Sequence, residues 1–117
     1  MMNNQNNTFD WFSYQLSDYT WQYFNLMKQI KVTNNPNLGR GDAIKVLEQA
    51  ETLHTSLVPL LEEIETAIGG RPDDPDLEIT PTRYLYYSVW ADTICLGSRI
   101  EALIRLIEWM LNNGPEK

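Results

Sequence analysis

The chain has 117 residues, 43% of them hydrophobic and 21% charged, with nine basic against sixteen acidic side chains and a net charge of -7. That length supports one domain around one core, and the balance excludes disordered and fibrous classes. The acidic excess excludes direct nucleic-acid binding, which needs Lys and Arg to neutralise phosphates. The outlying figure is an aromatic content of 11%, including four Trp and six Tyr.

Residues 1–8 form a polar run with neither the basic nor the apolar stretch of a secretion signal, and read as a disordered tail. In the first helical segment Phe9, Phe12, Leu16, Tyr19, Tyr23, Leu26 and Ile30 recur at three- and four-residue spacing, the seam of an amphipathic helix. Thr8 is its expected N-cap, and it should end near Val32, before the Asn34-Asn35-Pro36-Asn37 turn and the Gly39/Gly41 pair. Asp42 then caps a second helix running to Ile68. Its apolar face carries Val46, Leu47, Ala50, Leu53, Leu57, Leu61, Ile64 and Ile68, and Gly69-Gly70 stops it. Pro59 deletes the bond to the Thr55 carbonyl and predicts a kink, or a short break over 56–58.

Thr80 as N-cap with Pro81 in the first turn starts a third helix that runs to about Asn112. Its late polar residues Glu101, Arg105, Glu108 and Asn112 form one stripe, yet Ser88 and Asp92 point to nearly the opposite side. The buried face therefore swaps sides: either the first half packs against something extra, or the helix breaks at Gly97-Ser98 into a fourth. No strand alternation persists. The expected fold class is all-α, an antiparallel bundle of three helices, or four with the break at Gly97. One domain covers 9–112, followed by a short tail at 113–117.

Catalytic templates fail. There is no G-x-S-x-G, no phosphate loop, and one His and one Cys rule out a triad partner or a zinc set within one chain. Cys95 lies in an apolar run and reads as a buried, inert thiol. Glu51 and His54 stand at the E-x-x-H spacing of carboxylate-bridged metal bundles, but such a site needs a second pair and two further inward acids, so a boundary histidine is the preferred reading. The acids at Asp74, Asp76 and Glu78 lack the glycine and closing glutamate of a calcium loop, and Arg40-Gly41-Asp42 reads as a turn into a helix cap. No enzyme, cofactor or metal is expected. The longest nearly uncharged stretch, 84–98, is too short to span a bilayer, and the acidic surface would be repelled by anionic lipid despite Lys28 and Lys31. A cytoplasmic protein with no membrane partner is expected.

Two distributions point to a protein partner. Positions 48–78 hold nine acids and one base, a net of -8, while the rest of the chain is at +1. Twelve of thirteen aromatics fall in 9–24 and 84–90. Trp11, Tyr14 and Trp21 project opposite the first helix's seam, with Phe24 between the two sides, where a surface helix should be polar. In an up-down-up bundle both aromatic windows and the acidic segment lie toward one end. The expected partner surface comprises Trp11, Tyr14, Trp21, Tyr84, Tyr86, Tyr87 and Trp90 with Glu62, Glu63, Asp73, Asp74 and Asp76. The leading expectation is a non-enzymatic interaction protein, most simply a homodimer. The alternative is an acidic inhibitor of the immunity, antitoxin or anti-defence type that occupies a basic site. A dimeric metal-binding bundle using Glu51 and His54 is third.

Overall fold

Each helix buries a single stripe repeating at alternating three- and four-residue steps. In the computed structural model, which describes residues 4–33 and 40–113, these stripes meet in a three-helix bundle. The elements are α1 (Asn4–Thr33), α2 (Arg40–Ile68) and α3 (Pro81–Asn113), all packed against one another, with no strand among the described residues. The buried positions are Phe12, Tyr23, Leu26 and Ile30 in α1, and Ala43, Val46, Ala50, Leu53, Leu57, Leu60, Ile64 and Ile68 in α2. In α3 they are Tyr86, Val89, Thr93, Leu96, Ile100, Leu103 and Ile107. Such a narrow repeat is the knobs-into-holes seam of a coiled coil. The molecule is a rod measuring 58 × 33 × 17 Å.

The helix boundaries follow local chemistry. The Thr80 hydroxyl accepts the Arg83 N–H at 3.1 Å and caps α3. At the end of α2, Gly70 N–H and Gly69 N–H both donate to the Glu65 carbonyl, at 3.0 and 2.9 Å, and Gly69 also reaches Thr66 at 3.2 Å. Gly69 has φ +93°, the left-handed turn that ends helices and that a side chain opposes. The Arg83 guanidinium then donates to Ile68 O at 2.9 Å and Glu78 O at 2.7 Å, tying the loop and the last turn of α2 to the first turn of α3.

The helix bounds overturn the start expected for α1, and at Pro59 they exclude the short break, one of the two alternatives. α1 begins at Asn4, so Thr8 lies inside a helix rather than capping it, and residues 4–8 of the expected tail are helical. The Asn34–Asn37 turn and Gly39 lie outside the described residues, as do 1–3 and 114–117. α2 runs unbroken through Pro59. Pro59 is on the exposed side, and in the turn before it Thr55 and Ser56 return their hydroxyls to the Glu51 and Thr52 carbonyls at 3.0 and 2.9 Å. Such back-bonding bends helices, which eases the clash of a proline ring with the preceding turn.

α3 also runs unbroken through Gly97, and its buried face does not swap. Ser88 and Asp92 are exposed on one flank of a single buried stripe, and Glu101, Arg105, Glu108 and Asn112 on the other; Thr93 within it is 2% exposed, and its hydroxyl turns back to the Val89 carbonyl at 2.7 Å. It continues the stripe between Val89 and Leu96, where its polar identity conceals it from a hydropathy pattern. A Cβ at Gly97 would lie 3.7 Å from Leu57, so α2 and α3 approach closely there.

The core divides at Thr93 into an aliphatic cluster around Leu53, Leu57, Ile100 and Ile107 and an aromatic one around Phe12, Ile64, Tyr86 and Val89; Leu16 and Tyr19 pack against both. Ile100, wholly buried, should cost about 2–5 kcal/mol when cut to alanine. Thr93→Val, which keeps shape and loses only a back-bonded hydroxyl, should stay within about 1 kcal/mol of wild type. Urea unfolding at constant slope checks both.

Candidate functional site

α1 carries more aromatic surface than one buried stripe holds. Behind its core face, Tyr14 is 69% exposed, Trp21 63% and Phe24 49%. The remaining exposed aromatic, Trp11, stands apart on the flank facing α2, its ring edge-on to Phe12 at 5.6 Å. It lines a cleft of about 570 Å³ with Thr8, Glu62, Glu63, Thr66 and Ala67. Trp21 and Phe24 lie toward the other flank, in an α1–α3 groove of about 590 Å³ with Thr20, Asp92, Cys95 and Arg99. Cys95 is therefore exposed rather than buried, because it sits two positions beyond the buried stripe at Thr93.

The aromatic window of α3 mostly turns inward. Tyr86 is part of the core at 3% exposure, held edge-on by Phe9 at 6.1 Å and Phe12 at 5.9 Å, and so offers a partner no surface. Its place on the 86–89–93 stripe is what buries it. Trp90 is half-buried and donates its indole N–H to Glu65 Oε2 at 3.0 Å. Tyr87 is half-buried, its hydroxyl enclosed without a hydrogen-bond partner among the described residues. Tyr84 alone is open, 70% exposed in the first turn of α3. The contacts of Phe12 with Tyr86 and of Glu65 with Trp90 place the first half of α1, the second half of α2 and the first half of α3 at one end of the rod.

The acids expected to face a partner divide by role. Glu62 and Glu63 are exposed and make no ion pair among the described residues. Asp73 holds Arg71 in a two-pronged pair at 3.1 and 3.0 Å. Asp74 accepts the Asp76 N–H at 3.0 Å, a side-chain turn that shapes the loop. Asp76 itself is exposed. Glu51 is exposed and His54 half-buried, and the described residues hold no group of three His, Cys, Asp or Glu able to bind a metal ion. No helix among them is long and apolar enough to cross a membrane.

The sequence reading passed over the ends of the outer face. Asp10, Tyr14, Ser17, Trp21, Phe24 and Lys28 are all exposed and repeat at the same three- and four-residue steps as the core stripe. That second periodicity is the signal that finds them.

Burial pushes the Tyr86 phenol above its ordinary value of 10.0. Folding thus retains a proton that the unfolded chain gives up. The contribution is full below pH 10 and is lost as pH rises from there through the higher folded value. Tyr86→Phe should remove that part of the alkaline loss, measured as unfolding free energy against pH from 8 to 12.

No protein-family model matches the chain, and no curated protein or solved structure matches it, so its function is argued from this surface alone.

Proposed function

We propose that this chain is a non-enzymatic protein-interaction module that docks through the outer face of α1. The observation that supports it is the exposure of Tyr14, Trp21 and Phe24 on a helix whose opposite face already fills the core. Apolar surface in water costs about 25 cal/mol per Å², and these ring types are the ones that anchor interfaces. The surface is narrower than the sequence suggests. Tyr86, Tyr87 and Trp90 belong to the bundle, and Trp11 and Tyr84 lie to its sides.

A second reading rests on the Trp11 cleft, where an indole stands beside the carboxylates of Glu62 and Glu63, which make no ion pair among the described residues. An acidic, aromatic-walled cleft suits a basic segment of another protein, as an inhibitor of a basic site would use. Binding of that kind weakens steeply with salt, because charge attraction is screened within about 8 Å at physiological ionic strength.

The test of the first reading has two parts. A photo-crosslinking residue in place of Trp21, irradiated in the native cell, should give a discrete adduct, while the same probe at exposed Glu108 should give none. Tyr14→Ser/Trp21→Ser should leave unfolding stability within about 1 kcal/mol, as two surface substitutions do. Absence of any adduct, or a loss of stability like that of a core deletion, would overturn the reading.

A further inference from the structure

We infer that the occupant of the outer α1 face is a second copy of the chain, its α1 lying antiparallel across the first about a twofold axis beside Tyr19. The inference rests on the docking reading above and names its partner. Asp10 stands at the start of the outer stripe and Lys28 at its finish; both are exposed, and neither has an ion pair among the described residues. Between them lie Tyr14, Ser17, Trp21 and Phe24. In a coiled-coil contact between antiparallel helices, the two kinds of seam position face each other across the axis. Here that sets Asp10 against Lys28 of the second copy, Tyr14 against Phe24, and Ser17 against Trp21.

Every pairing is complementary. Acid meets base at both ends, aromatic meets aromatic, and the largest side chain meets the smallest of the stripe, where an indole has room to seat. The same surface serves both copies, as a closed twofold dimer requires. A parallel arrangement instead stacks Asp10 on Asp10 and Lys28 on Lys28. One feature opposes the pairing: Asp18 flanks the axis and meets its own copy, its charge only partly answered by Gln22, which donates to Asp18 Oδ2 at 2.9 Å. A single helix-on-helix contact lies at the small end of specific interfaces, so the dimer is reversible, with a dissociation constant on the order of 10 μM.

Charge exchange tests it, read by sedimentation equilibrium up to about 0.5 mM protein, well above that constant. Wild type should dimerise. Asp10→Lys alone and Lys28→Asp alone should each weaken self-association by about tenfold, since each makes both ends repulsive. Mixing the two single variants should restore association as a heterodimer, and the double variant should restore it within one chain. Asp18→Asn should tighten it, and Trp21→Ser should abolish it. All four substituted positions are exposed, and circular dichroism melts confirm that each variant folds.

A wild type that stays monomeric at 0.5 mM overturns the inference, as does a dimer indifferent to the charge exchanges, or one that the double variant fails to restore. A monomer whose residue-21 probe still captures a protein of another mass leaves the docking reading standing. A monomer with no adduct removes both.

Discussion

A bundle of three helices buries one narrow stripe from each, and this limit governs the surface of the molecule. The stripe of α2 is wholly aliphatic and that of α3 is aliphatic apart from Tyr86 and Thr93, with Gly97 of α3 lying against Leu57 of α2. α1 spends its stripe on larger rings and still has Tyr14, Trp21 and Phe24 left over. The surplus does not come from poor folding of this helix. Its core face is complete, from Phe12 through Tyr23 to Ile30. Bringing the outer rings inward would turn the core stripe out, so no rotation of α1 relieves the exposure.

The same constraint explains why the aromatic residues of the second window serve the fold. At that end of the rod the core is built from Phe9, Phe12, Tyr86 and Val89, and edge-on rings fill the space that the aliphatic half closes with leucine and isoleucine. Trp90 adds a tether by reaching Glu65 across α2, and Arg83 adds another by satisfying carbonyls on both sides of the connecting loop. A helix end left with unpaired carbonyls is costly, so a loop pinned by one arginine at two of them has a defined path.

Much of this was legible in residue order. The three helices, the Thr80-Pro81 start, the Gly69-Gly70 stop and the seam residues of α1 follow from periodicity and capping chemistry. What suggested a break at Gly97 was the placing of Ser88 and Asp92 opposite the later polar stripe; both sets are exposed and flank one buried stripe, which runs on through Thr93. A threonine that returns its hydroxyl to its own helix is apolar toward its neighbours, and only its burial reveals that. Tyr84, Tyr86 and Tyr87 look alike in sequence, yet steps of one or two residues separate an open ring, a core ring and a half-buried one. The partnership of Trp90 with Glu65 depends on the register of α3 against α2, which composition does not contain.

Net charge sharpens the case for where copies of this chain can meet. At -7 the protein repels itself, and the excess sits at positions 48–78, on α2 and the loop after it. Contact through that region would bring like charge together. α1 carries none of that excess: Asp10 and Asp18 are balanced by Lys28 and Lys31, just as three arginines balance three acids in α3, so both helices are neutral within an acidic chain. An interface confined to α1 therefore keeps clear of most of the charge carried by α2 and the loop after it. The aromatic surplus and the acidic surplus, which look like one anomaly of composition, are separate in the structure: Tyr14, Trp21 and Phe24 stand on the outer face of α1, while Glu62 and Glu63 line the cleft between α1 and α2.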